Sequence, residues 1–178
     1  MAATGWPGCA KSLKGVILDM CGVLYDSGEG DGVAIHGSVE AVKKLKASDL
    51  QLRFCTNETQ ASRETRYYKE TDGLKLDVGV YMKALEYACD LKAEVIGKPS
   101  PTFFQSVLND MGLQPHEALM IGDDLVNDVG GAQHCGMKGV QVRTGKYRPS
   151  DEKHPTVTAD GTVDNLAQAV DMILNQRH

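Results

Sequence analysis

Five apolar runs of four to six residues punctuate the chain: GVILD (15–19), LQLRFC (50–55), AEVIG (93–97), ALMIG (118–122) and GVQV (139–142). Each is too short for a helix, and Gly, Asn or Asp residues mark their ends. Strands this apolar are covered on both faces, and strands so covered are joined by crossover helices, which makes their sheet mainly parallel. The intervening sequence supplies the helices. In SVEAVKKLKAS (38–48), Val39, Val42 and Leu45 form one stripe and Ser38 is placed to cap the N-terminus. SPTFFQSVLNDMG (100–112) offers Ser100 as cap, Pro101 in the first turn and Gly112 at the end, with Phe103, Phe104, Val107, Leu108 and Met111 on one face. VDNLAQAVDMILNQ (163–176) aligns Leu166, Val170, Ile173 and Leu174. The pattern predicts an α/β fold: a doubly wound, Rossmann-like and mainly parallel sheet with helices on both faces. A chain of 178 residues, 42% of them hydrophobic, fills one core rather than two, so residues 1–178 are expected to form a single domain.

In open parallel sheets, ligands gather beyond the carboxyl ends of the strands. Every relevant strand end here is polar. GVILD stops on Asp19, LQLRFC runs into Thr56 and Asn57, AEVIG into Lys98, and ALMIG into GDDLVND with Asp123, Asp124 and Asp128. Singly, each has an ordinary reading: a turn former, a helix cap, a surface lysine. Together, on one edge of one sheet, they have the parts for phosphoryl transfer through an aspartyl-phosphate. A carboxylate nucleophile, Asp19, repels an anionic phosphate unless a cation intervenes, and Mg2+ held by Asp19 and Asp123, a backbone carbonyl and waters is such a cation. Lys98 adds a second positive charge, and Thr56 and Asn57 at a helix start donate hydrogen bonds to phosphate. Asp124 and Asp128 are expected behind these, orienting water, lysine or metal.

The four stations DMCGVLYDSG, CTNE, GKPS and GDDLVND resemble the four motifs of the haloacid dehalogenase superfamily of phosphohydrolases, over residues 15 to 145. The resemblance implies that Asp19 is the nucleophile, that Thr56 and Lys98 bind phosphate, and that Asp123 holds Mg2+. It also implies that residue 21 gives its backbone carbonyl to the metal, which places Cys21 at the metal and beside the substrate. GVLYDSG, FCTNE, RYYKET, LDVG, YMKALEYAC and VRTGKYRPSDE are similar to a narrower group within the superfamily that attacks P–N bonds and pyrophosphate. The substrates so implied are inorganic pyrophosphate and phosphorylated His or Lys side chains.

Two departures from the family pattern carry expectations. Most of its phosphatases have an acid two residues after the nucleophile, to protonate the leaving oxygen, where this chain has Cys21. A free thiol, with pKa about 8.5, is a poor substitute. Alkyl esters should therefore react slowest, and phosphoanhydrides and phosphoramidates, whose leaving groups depart without that proton, should suffer least. The second departure is the short distance between Asn57 and Lys98, in which this family normally inserts an α/β cap domain. That insert is expected to be missing, which would leave the site open or expose a sheet edge and favour a homodimer. A non-catalytic, cap-deleted interaction partner is the competing reading.

Net charge of −5 argues against a nucleic-acid footprint, and runs such as KKLK read as solvated helix face. No stretch has the length needed to cross a bilayer and none at the start reads as a signal peptide. Five scattered cysteines without a CxxC pair suit a reducing compartment, the cytoplasm or equally the nucleus. The histidines lack ligand spacing, Tyr67 and Tyr68 read as packing residues, and Trp6 is expected in a mobile tail. A flavin- or nucleotide-binding module is disfavoured, because no GxGxxG follows the first strand.

Overall fold

A computed structural model describes residues 6–26, 33–56, 67–70, 73–76, 83–84, 87–90 and 97–177. The run GVILD is strand β1 (Gly15–Asp19), buried along its whole length. A two-residue ribbon follows, β2 (Tyr25–Asp26) antiparallel to β3 (Val33–Ala34), then α1 (Ser38–Ala47) and β4 (Gln51–Cys55). Hairpin strands β5 (Tyr67–Glu70) and β6 (Gly73–Leu76) come next. Beyond Lys98 lie α2 (Pro101–Met111), β7 (Ala118–Gly122), a π-helical turn (Leu125–Gly130), the short α3 (Gly131–His134), β8 (Lys138–Val142), β9 (Gly161–Val163) and α4 (Leu166–Arg177).

The chain packs as two units, Met1–Thr56 with Lys98–His178, and Asn57–Gly97. In the first, five strands form a sheet in the order β4-β1-β7-β8-β9, with every neighbouring pair parallel. Counted along the chain that order is 2-1-3-4-5, in which the strand sequence reverses beside β1 and opens a crevice between β1 and β7. The alternation of a strand sends Val16 and Leu18, with Leu119 and Ile121, to the face covered by α1 and α4. Ile17, with Ala118 and Met120, faces Phe104, Leu108 and Met111 of α2. Full burial of a side chain such as Phe104 contributes about 3 kcal/mol. The architecture is the doubly wound sheet expected from the sequence. In the second unit, β5 pairs antiparallel with β6, Tyr67 opposite Leu76.

Helices α2 and α4 match the sequence pattern closely. Gly112 ends α2 in the left-handed conformation at φ 64, with its N–H on Asn109 O. Elsewhere the expectation is corrected. Ser38 does not cap α1; Gly37, at φ 80, holds that position, and Ser38 Oγ donates instead to Leu24 O at 2.8 Å. The helix is thereby rotated so that Ser38, Ala41 and Leu45 face inward while Val39 is 53% exposed. Nor is Trp6 in a mobile tail. It opens a 3-10 helix (Trp6–Ser12), is only 2% exposed, and lies against Gly161 of β9, where any Cβ would fall 2.0 Å from its indole. β9 itself lies outside the five apolar runs. Asn57, the remainder of AEVIG (93–96) and the side chains of Tyr67 and Tyr68 lie outside the described residues. Among the described residues no helix is long and apolar enough to cross a membrane.

Candidate active site

β1 delivers Asp19 to the crevice, in register with Cys55 at the end of β4. The chain then turns tightly: Leu24 N donates to Met20 O at 2.8 Å and Gly22 N to Tyr25 O at 2.8 Å. Gly22 has φ +79, and a Cβ there would lie 2.0 Å from Asp123 Oδ2. Gly145, at φ +58 in the loop after β8, is excluded from a side chain by the same oxygen, at 2.1 Å, and by Gly22 Cα, at 2.5 Å. Two loops thus meet backbone to backbone over one carboxylate. They are fastened there by Thr144 Oγ1, which donates to Gly22 O, and by Lys146 N, which donates to Asp123 Oδ2 at 2.7 Å.

β7 delivers Asp123 next door. Asp124 begins the π-helical turn, its Oδ1 accepting from Val126 N at 3.2 Å and Asn127 N at 2.9 Å. That turn brings Asp128 back beneath the strand end, where its Oδ2 accepts from Asp124 N at 3.1 Å. Gly122 is required at the crossing, since a Cβ would fall 2.2 Å from Asp128 Oδ2. Insertions of this π type recur at functional sites because they re-aim side chains within a helix.

Lys98 lies between the two carboxylate groups. Its Nζ is 2.5 Å from Asp19 Oδ1 and 2.7 Å from Asp128 Oδ1. Asp19 is 6% exposed, Lys98 7% and Asp123 2%. Burial pulls the Lys98 ammonium pKa down, but Asp128, and after it Cys55 and Asp19, hold it above its ordinary value. Burial outweighs Lys98 at Asp128 and raises that carboxyl. Burial, opposed by the Lys146 N–H and reinforced by the charge of Asp19, pushes Asp123 up to about 6. Burial also pushes the Cys55 thiol up to about 12, so it stays neutral beside this cluster, donating to Leu18 O at 3.3 Å.

One oxygen each from Asp19, Asp123 and Asp128 lie within 4.8 Å of one another. Asp123 Oδ1 is buried with no hydrogen-bond partner. Three carboxylates face one lysine, and an orphaned, buried anionic oxygen in that set is what a hard dication satisfies. The donor chemistry, all oxygen, fits Mg2+.

The sequence-derived residues are therefore distributed as follows. Asp19, Lys98, Asp123 and Asp128 converge on one buried cluster. Cys21 lies half-buried in the turn after β1, and Thr56 immediately beyond the residue paired with Asp19. Asp124 organises the π-helical turn and has Lys146 Nζ at 3.7 Å. Asn57 is outside the described residues. Sequence reasoning passed over Thr144, Gly145 and Lys146; the RTGKY that follows a strand end was their signal.

Comparison with known proteins agrees with this geometry. Residues 16–91 match the haloacid dehalogenase-like hydrolase family model, and residues 95–169 match a second, HAD-hydrolase-like model. The phospholysine phosphohistidine inorganic pyrophosphate phosphatase of Danio rerio is 50% identical over 260 positions, covering 94% of this chain and 96% of the relative. Its Homo sapiens counterpart is 43% identical over 262 positions, covering 95% and 97%. Those alignments are longer than this 178-residue chain, so both relatives carry sequence with no counterpart here. Among solved structures, a 4-nitrophenylphosphatase from Thermotoga maritima superposes with a TM-score of 0.70 at 16% identity, covering 92% of this chain and 98% of that one. Fold, matched models and full-length relatives agree: this chain belongs to the haloacid dehalogenase-like hydrolases.

Proposed function

We propose that this chain is a Mg2+-dependent phosphohydrolase acting through phospho-Asp19 on inorganic pyrophosphate and on phosphohistidine and phospholysine side chains. The observation that carries the reading is the buried set of Asp19, Lys98, Asp123 and Asp128 at the mouth of the β1–β7 crevice, with Asp123 Oδ1 left unpartnered. The substrates follow the names of the full-length relatives.

Asp123, Asp19 and the Cys21 carbonyl would hold the metal, which when bound neutralises charge on the transferring phosphoryl group. Lys98 fixes Asp19 through Oδ1; Oδ2 accepts no hydrogen bond among the described residues and is the attacking atom. Its attack forms a P–O bond to Asp19 and breaks the bond from phosphorus to the leaving group, which departs with that electron pair as phosphate or as an amine. Water then attacks phosphorus, releasing inorganic phosphate and restoring the carboxylate. Asp128 keeps Lys98 charged and in place, and Thr56 and Asn57 bind phosphate oxygens. A thiol rather than a carboxyl at Cys21 supports the preference for leaving groups that need no proton.

The segment present in the relatives and absent here is the cap, missing between residues 57 and 98. Residence in the cytoplasm or nucleus is supported by five cysteines, none in a disulfide.

Replacing Asp19 by Asn should lower Mg2+-dependent phosphate release by on the order of 10³-fold or more while circular dichroism stays unchanged. In the same assay the wild type should hydrolyse pyrophosphate and phosphoramidates well ahead of an alkyl phosphate. An undiminished rate in Asp19→Asn rejects the mechanism.

A further inference from the structure

Beside the catalytic cluster lies a cleft of about 410 Å³, lined by Asp124, Gly145, Lys146, Arg148 and Asp151 among others. Its formal charges nearly cancel, yet their hydrogen-bonding states differ. Asp124 accepts from Val126 N, Asn127 N and Asn127 Nδ2, the last at 2.8 Å. Asp151 Oδ2 accepts from Arg148 N at 3.1 Å and from Gln141 Nε2 at 2.9 Å. Buried Gln141 also donates to Asp123 O at 3.2 Å, so the cleft wall is tied to the catalytic loop. The acids therefore accept five hydrogen bonds from within the protein. The cations do not have their donors occupied in the same way. Lys146 Nζ stands 3.7 Å from Asp124, beyond hydrogen-bond range, with its side chain 67% exposed. Among the described residues no carboxylate pairs with the Arg148 guanidinium.

A cleft whose acids are engaged by donors of the protein itself and whose cations keep free N–H donors recognises an anion. Phosphate is the anion for which an ammonium and a guanidinium are best matched. The location narrows the choice further. Lys146 N is 2.7 Å from Asp123 Oδ2, so this one residue touches the catalytic carboxylate with its backbone and also lines the cleft. A group bound there lies beside the loop that closes over Asp123.

We infer that Lys146, supported by Arg148, is a specificity-determining residue that binds the leaving phosphate of a diphosphate, and so favours phosphoanhydrides over phosphate esters with uncharged leaving groups. This rests on the phosphohydrolase reading above. In the reaction, Lys146 donates hydrogen bonds to the departing phosphate, which leaves as an anion and takes no proton from it.

The test compares wild type, Lys146→Ala, Lys146→Gln and Lys146→Arg, all retaining the backbone N–H on Asp123. With Mg2+ present, KM for pyrophosphate should rise about tenfold in the Ala and Gln variants, at least five times more than KM for p-nitrophenyl phosphate, and Lys146→Arg should recover most of the loss. Calorimetric affinity for methylenediphosphonate, which cannot be hydrolysed, should weaken in parallel. Equal shifts on both substrates overturn the assignment, as does unchanged methylenediphosphonate affinity. If the wild type hydrolyses neither substrate, the functional reading fails, and the calorimetric comparison alone still decides whether Lys146 binds a diphosphate.

Discussion

Gly22 and Gly112 both sit at positive φ, but only one of them is crowded. A Cβ on Gly112 meets nothing within 4 Å, so Gly112→Ala costs only the left-handed backbone strain, about 1 kcal/mol. A Cβ on Gly22 must displace the Asp123 carboxylate or the Gly145 backbone. Gly22→Ala should therefore weaken Mg2+ binding by about tenfold or more, read by calorimetry, with a matching loss of phosphate release. Gly112→Ala should lower the melting temperature by a few degrees and leave the Mg2+ affinity alone. Equal Mg2+ affinities in the two variants would show that the glycine contact does not shape the metal site. The same residues mark what could be read in advance. Asp19 and Asp123 could be placed in advance because a strand end fixes where a side chain emerges. Gly145 and Lys146 could not, because their role depends on a loop from β8 closing over one from β1, a contact between residues 123 positions apart in the case of Gly22 and Gly145.

Elements are tied together at the β9 edge by Asp160. Its carboxylate accepts from Gly139 N at 3.0 Å in β8, Lys138 Nζ at 2.7 Å and Gln133 Nε2 at 2.9 Å in α3, while its own N–H donates to Gly139 O. Burial raises its pKa, but the Lys138, Gln133 and Gly139 donors together prevail and hold it below the ordinary value. A depressed carboxyl contributes stability that is present above the unfolded pKa of about 3.9 and is lost as pH falls through the folded one. The melting gap between wild type and Asp160→Asn should thus be widest near neutrality, about 1 kcal/mol after solvent screening, and close below about pH 4. A gap independent of pH would remove charge from the explanation. At this scale periodicity was informative for α2 and α4, which pack along a whole apolar face. It failed by one residue at α1, where Gly37 and the Leu24 carbonyl decide the helix start. It was silent on the 3-10 helix at Trp6 and on three-residue β9, both too short to carry a period.

For the molecule as a whole, Asp19, Lys98, Asp123 and Asp128 all belong to the unit of Met1–Thr56 and Lys98–His178. All four are therefore held within one packed unit. Mg2+ with a phosphate mimic at 100 times the dissociation constant should raise the melting temperature by about 5 °C or more. No shift would favour the reading of this chain as a non-catalytic partner. The parallel, doubly wound character of the sheet was legible from the apolar runs; the order of its strands was not, because a run does not say which strand it pairs with. The division into two units was not, because it depends on packing that local sequence does not express. Trp6 finally gives this molecule a built-in optical reporter. It is the sole tryptophan of the chain and is wedged in the core against Gly161, so its emission reports whether water has entered the β9 side of the sheet. Gly161 opens β9 whereas Asp19 ends β1 of the same parallel sheet, so ligands arriving at Asp19 should leave this emission unchanged and let unfolding and binding be followed separately in one cuvette.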